Sequence, residues 1–280
     1  MLGALLIVFR EVIEAGLIVG IVLAAARGVT GRGRWVTFGV IGGVAGAALV
    51  AAFADALSNL FEGSGQELFN AAILGVAVIM LAWHTAWMAS HGREMARQMR
   101  DVGAAVARGD KTLMALAIVV GVAVLREGSE VVLFLYGIVA SGGVTATGLV
   151  IGGLLGVAAG AAVSALMYFG LLTIHPRHLF GVTSKLITLL AAGLASQAVA
   201  FLQQSGTIEA LDTPLWNTGW LLKDSDILGR LLKTLVGYTD SPTGMQLIAY
   251  LATIAVFVAL VRWVHSRHAH APAAARVSQA

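Results

Sequence analysis

Long apolar runs separated by short polar joints make up most of the chain. A helix needs about 20 apolar residues to cross a hydrocarbon core about 30 Å thick. Seven segments meet that length, at about 2–26, 35–57, 67–90, 113–140, 145–173, 182–203 and 244–264. The pattern therefore predicts an all-α integral membrane protein with seven transmembrane helices. Two joints are longer than the rest, 91–112 and 204–243. Within the second, Ile227, Leu228, Leu231, Leu232 and Leu235 recur at helical spacing just after Asp224 and Asp226, which predicts an acid-capped amphipathic helix lying along the membrane surface. The first segment is not read as a signal peptide: it lacks a basic start and carries Arg10, Glu11 and Glu14 in its middle. Residues 1–264 are expected to form a single transmembrane domain, and 265–280 a disordered tail.

Composition supports this reading and removes others. Of 280 residues, 58% are hydrophobic and 12% charged, against about 25% charged in a soluble domain, and mean hydropathy is +0.87. With no cysteine, disulfide scaffolds, thiolate metal sites and thiol catalysis are excluded. A net charge of +3 would suit nucleic acid, but the basic residues fall in the joints between spans. Thirteen Lys and Arg lie in joints one, three and five and the tail, whereas the opposite side holds only Lys223, Arg230 and Lys233. The positive-inside rule then places the N-terminus outside and the C-terminus in the cytoplasm, in the cell (inner) membrane. Nucleic acid is not an expected partner; the lipid bilayer is.

The chain also repeats itself. Arg10-Glu11-Val12-Ile13-Glu14 recurs as Arg126-Glu127-Gly128-Ser129-Glu130, an offset of 116, and Val40-Ile41-Gly42-Gly43 recurs as Val150-Ile151-Gly152-Gly153, an offset of 110. Leu81-Ala82-Trp83-His84 matches Leu194-Ala195-Ser196-Gln197 more weakly, at 113. Two halves of three helices follow, about 1–90 and 113–203, with the seventh helix outside the repeat. Three is odd, so the halves cross the membrane in opposite senses. Inverted repeats of this kind place transporter sites near mid-membrane, between the halves.

Both R-E-x-x-E groups fall at the middle of their spans. At 100° per residue, Arg10 and Glu14 are about 40° apart and Glu11 about 100° from Arg10, so all three fit one face. A charge at that depth costs roughly 2.5–3.5 kcal/mol on insertion scales, so these faces should meet in the interior rather than point at lipid. Arg10–Glu14 and Arg126–Glu130 can pair at i,i+4. That leaves Glu11 and Glu127 unbalanced, a surplus of two negative charges among four carboxylates. A hard, oxygen-preferring ion such as Fe³⁺, Mn²⁺, Mg²⁺ or Ca²⁺ would neutralise it.

At these residues the chain resembles the high-affinity, oxidase-dependent iron permeases, whose signature R-E-G-L-E appears once in each half of seven helices. The second copy here departs from it at Ser129, and the first at Val12 and Ile13. Leu215-Trp216, Trp220-Leu221-Leu222 and Gly237-Tyr238 in the outer loop also look like the bacterial branch. The resemblance implies a permease importing ferric iron, produced from ferrous iron by an extracytoplasmic oxidase or delivered by an iron-binding partner. Glu11, Glu14, Glu127 and Glu130 would bind the transported iron, with Arg10 and Arg126 balancing charge. Iron is then cargo, and no cofactor is expected. Two rivals stay open on charge pattern alone. One is a proton-coupled transporter of another divalent metal. The other is a membrane di-iron carboxylate enzyme, although neither motif has the His three residues after Glu that such sites use.

Asp55, Glu62 and Glu67 cluster at the outer ends of helices two and three and form a weaker candidate approach for cations. The outer loop adds Glu209, Asp212, Asp224, Asp226 and Asp240, a balance of −2 against its three cations; such residues are equally at home as solvated loop charges. His84, inside helix three, is expected to hydrogen-bond with its repeat mate Gln197 rather than bind metal. His91, His175 and His178 suit interfacial positions, and His265, His268 and His270 lie in the tail.

Overall fold

The computed structural model describes residues 1–59, 66–141, 145–170, 176–224 and 226–269. Among the described residues eight helices follow one another: α1 Leu2–Ala25, α2 Arg32–Asn59, α3 Gln66–Ala107, α4 Met114–Ala140, α5 Ala146–Tyr168, α6 Pro176–Gln204, α7 Ile227–Val236 and α8 Gly244–Ala269. No strand occurs among the described residues, only an isolated antiparallel bridge between Pro214 and Thr243. Glu62, His175 and His270 lie outside the described residues, as do the side chains of Asp55, His178, His265 and His268.

Each of the seven apolar segments supplies a long helix; that of the fifth, read as 145–173, ends at Tyr168, and 171–173 lie outside the described residues. Five of these helices, α2, α3, α5, α6 and α8, contain stretches long and apolar enough to cross a membrane. In α1 and α4, every stretch of 18 residues includes the whole charged motif, so their hydropathy is interrupted by the residues that make them interesting. On α2, Phe38, Ile41, Leu49 and Phe53 are exposed, as are Val150, Leu154 and Val157 on α5 and Ile248, Leu251 and Val256 on α8. Exposed apolar side chains at helical spacing suit lipid contact in a membrane protein.

The segment 91–112, expected as a polar joint, is mostly helix: α3 continues without interruption to Ala107 and is 42 residues long. The reason is an apolar stripe hidden among the charges. Met95, Met99 and Val106 recur near helical spacing and pack on Ile18, Val22, Ala26, Val36, Leu116 and Val120. At Gly103 the fit is so close that a Cβ would lie 2.6 Å from the Ala25 Cβ and 3.1 Å from the Val22 carbonyl oxygen.

The tightest helix pairs join the two halves crosswise, α1 with α5 and α2 with α4. Glycines permit both approaches. A Cβ on Gly39 would meet the Ala117 carbonyl oxygen at 2.5 Å, and one on Gly43 would meet that of Gly121 at 2.7 Å. On α5, a Cβ on Gly156 would meet the Leu5 carbonyl oxygen at 2.8 Å, and one on Gly160 the Val12 Cβ at 2.8 Å. The contacts correct the glycine offset of 110. Gly39 and Gly43 play the parts of Gly152 and Gly156, an offset of 113, while Gly42 and Gly153 face open space. Paired glycines in each run made the two registers look alike in sequence, but they lie on different helix faces.

Two apolar clusters fill the interior. One joins Ile7, Leu74, Leu81, Phe134, Ile138, Leu190, Leu194 and Phe257; the other is the set around Ile18, Val22, Leu116 and Val120 already described. The R-E-x-x-E residues lie between them on both α1 and α4.

The amphipathic run is a helix, α7, as expected, but the acidic cap is not formed: Asp226 at the N-cap makes no side-chain capping hydrogen bond, and Asp224 pairs with Lys233 at 3.4 Å instead. The helix ends at Gly237, whose φ of 70° is left-handed and favours glycine. Gly237 also packs Cα against Gly193 of α6, leaving no room for a side chain. Around α7 the segment between α6 and α8 is tied down by hydrogen bonds: the Tyr238 hydroxyl donates to the Leu222 carbonyl at 2.7 Å, and that of Tyr250 to the Val236 carbonyl at 2.7 Å. The Asp240 carboxylate accepts from the Ser241 hydroxyl and the Asp224 backbone N–H. These bonds, the Ser241 one foremost, with the Lys233 charge nearby, hold the Asp240 carboxyl below its ordinary range.

Candidate metal centre

The two charged motifs face each other, as their burial cost requires. Arg10, Glu11, Glu14 and Glu127 are all at most 3% exposed. Within the first motif, Arg10 spreads its guanidinium over both carboxylates: Nη1 lies 3.0 Å from Glu11 Oε1 and Nη2 lies 2.9 Å from Glu14 Oε1. In the second, Arg126 Nε lies 3.2 Å from Glu130 Oε1 and 3.9 Å from Glu127 Oε1. The i,i+4 pairs expected from spacing are therefore both formed.

The halves differ in their surroundings. The Arg126 side chain is 31% exposed and that of Glu130 13%, so the second motif is the more open. The Arg126 guanidinium carbon sits 3.9 Å from the centroid of the Trp87 ring, a cation–π contact. Trp87 in turn stacks on His91, with centroids 5.2 Å apart.

One donor atom from each of Glu11, Glu127, Glu130 and His84 lies within 4.8 Å of all the others. Such a group is the right size for one ion with four protein ligands. Glu11 Oε2 and Glu127 Oε2 are buried and have no hydrogen-bond partner. A buried carboxylate oxygen left unpaired is costly, and a cation between the helices would supply what it lacks. The excess of two negative charges among the six motif residues points the same way.

His84 is the residue that sequence reasoning left out of the site. It is 3% exposed and lies between the motifs rather than paired in isolation. Its Nδ1 contacts Glu130 Oε2, and its Nε2 lies 3.5 Å from Glu14 Oε2. Its repeat mate Gln197 is only partly buried. Glu14, by contrast, lies outside the four-donor group and is held by Arg10. Glu67 is exposed at the start of α3, and the 17 residues separating it from His84 span about 25 Å of helix. It is not part of this cluster.

The model of the Iron permease FTR1 family matches residues 1–265. The ferrous iron permease EfeU of Escherichia coli O6:K15:H31 is 30% identical over 276 residues, covering 97% of this chain and 98% of that protein. EfeU of Shigella sonnei is 31% identical over 242 residues, covering 85% and 87% respectively. EfeU of Yersinia pestis is 30% identical over 249 residues, covering 88% and 87%. No solved structure matches the chain. A match this long includes both charged motifs and all eight helices to within a few residues of the end of α8, and this chain belongs to the FTR1 family of iron permeases.

Proposed function

We propose that this multi-pass membrane permease imports iron through a mid-membrane site assembled from its two R-E-x-x-E motifs, and that the ion bound there is ferric. In this reading seven helices span the cytoplasmic membrane, with the N-terminus outside, and the two three-helix halves are inverted copies. Glu11, Glu127 and Glu130 replace water around the incoming ion, Glu14 supports the pocket from its bond to Arg10, and Arg10 and Arg126 keep the empty pocket from carrying four unbalanced charges. Relative movement of the halves then exposes the pocket to each side in turn.

The observation that carries this reading is the meeting of Glu11 with Glu127 and Glu130 in a buried cluster of donor atoms within 4.8 Å. Carboxylate oxygens suit hard ions, of which Fe³⁺ is the hardest candidate. The relatives are named ferrous iron permeases. Ferrous uptake and a ferric site are compatible if an extracytoplasmic oxidase converts the ion before it enters.

Iron uptake into proteoliposomes tests this, with Fe³⁺ and Fe²⁺ supplied separately and in competition with Mn²⁺ and Zn²⁺. Glu14→Gln and Glu130→Gln should each abolish uptake while leaving membrane insertion intact. Wild-type transport by both variants would refute the site assignment, and exclusive transport of Fe²⁺ would refute the ferric one.

A further inference from the structure

We propose that His84 is itself a ligand of the transported ion, and that Glu14 acts by orienting it rather than by binding metal. The inference rests on the reading of this pocket as the iron site and refines it: three carboxylates, from Glu11, Glu127 and Glu130, and one imidazole.

Three observations carry it. First, His84 comes from α3, which has no charged motif, yet its imidazole offers a donor within 4.8 Å of a donor from each of those three glutamates. Second, the ring touches one carboxylate from each half: Nδ1 contacts Glu130, and Nε2 lies 3.5 Å from Glu14. Third, Glu14 is the one motif glutamate outside the donor group, and its other oxygen is fixed by Arg10 at 2.9 Å.

Histidines that bind metal nearly always donate their second ring N–H to a carboxylate or carbonyl, which sets the tautomer and the ring's orientation. Arg10, Glu14 and His84 are placed for such a chain: Arg10 holds one Glu14 oxygen, and the other lies 3.5 Å from His84 Nε2, neither of these two atoms having another hydrogen-bond partner. With an ion on Nδ1 in place of the Glu130 contact, the ring proton sits on Nε2 and Glu14 is the acceptor within reach. The ligand set then resembles neither a pure oxygen cage nor a soft site. Imidazole suits borderline first-row ions and carboxylate suits hard ones, so one pocket can hold Fe²⁺ and Mn²⁺ as well as Fe³⁺. A nitrogen donor also raises affinity for iron above that for Ca²⁺ and Mg²⁺, which prefer oxygen throughout.

Pulsed EPR of the purified full-length protein loaded with Mn²⁺ tests the assignment directly. Wild-type protein should show modulation from a coordinated ¹⁴N, which changes to the ¹⁵N pattern when the protein is made with ¹⁵N-histidine; this arm needs no substitution. In His84→Gln the nitrogen signal should vanish while Mn²⁺ still binds, and Fe²⁺ affinity should fall about tenfold more than Ca²⁺ affinity. In Glu14→Gln the nitrogen signal should persist, with Mn²⁺ affinity reduced about 10–100-fold. Should His84→Gln fail to fold, His91→Gln must leave the ¹⁴N signal unchanged. Mn²⁺ bound by wild-type protein without nitrogen coupling overturns the role of His84 and leaves the carboxylate site standing. Failure of wild-type protein to bind Mn²⁺ or iron at all overturns both.

Discussion

Arg10 and Arg126 hold the same place in their motifs but not the same environment. Arg10 is 3% exposed and bonded to two carboxylates, whereas Arg126 is 31% exposed and rests on Trp87. Removing one partner of a buried ion pair costs about 3–5 kcal/mol, because the remaining charge is stranded. Arg10→Met should therefore lower the thermal unfolding midpoint in detergent well below that of Arg126→Met, because Arg126 is itself partly exposed and its nearer partner, Glu130, is 13% exposed and also contacts His84. Equal losses would mean that the two motifs are energetically alike despite their different exposure. The six motif charges were legible in sequence because charge is so expensive in an apolar span that its presence demands an explanation. His84 carried no such signal. A neutral imidazole in a helix is cheap, and its ligand geometry depends on α3 packing against both α1 and α4, which no local pattern records. The one available hint was its place in the Leu81–His84 landmark of the repeat.

At the scale of helices, the two motif copies differ at the position after the first glutamate, and the partner helices compensate. Val12 on α1 packs against Gly160 of α5, while Gly128 on α4 packs against Ala47 of α2. Large meets small in one half, small meets small in the other. A Cβ on Gly128 would approach the Ala47 Cβ at 2.6 Å with no other atom close, so Gly128→Ala should destabilise by about 1–3 kcal/mol through overpacking. Adding Ala47→Gly should restore most of the loss, which a thermal melt of the double variant would show; strictly additive losses would contradict the reciprocal fit. Sequence revealed that glycine runs recur, since small residues at fixed spacing mark close helix contacts. It could not choose between neighbouring glycines, because the face that meets a partner is decided by that partner. The inner third of α3 was hidden for a related reason. Arg93, Arg97, Arg100 and Asp101 read as a polar joint, and only the packed neighbours show that half-buried Met95 and Met99 and buried Val106 form an apolar stripe against the core.

For the whole molecule, the charged layer lies between two apolar clusters, one built around Leu81, Phe134 and Leu194 and the other around Val22, Leu116 and Val120. In the proposed cycle, an ion held by Glu11 and Glu127 would pass one cluster to enter and the other to leave, which makes the two clusters its barriers. In the proposed orientation the charge bias sets which barrier faces the cytoplasm. Arg108, 64% exposed beyond the end of α3, lies on the basic side, and Trp220, 83% exposed in the loop before α7, on the other. The chain has no cysteine, so single substitutions give an unambiguous label. In intact cells a membrane-impermeant maleimide should modify Trp220→Cys but not Arg108→Cys, and Arg108→Cys should react once the membrane is permeabilised. If seven helices cross, as proposed, the two ends lie on opposite sides, and a cysteine placed ahead of Leu2 should label from outside as well. The reverse pattern would invert the protein in the membrane and make the cluster around Val22 and Leu116, not the one around Leu81 and Phe134, the barrier that incoming iron meets first.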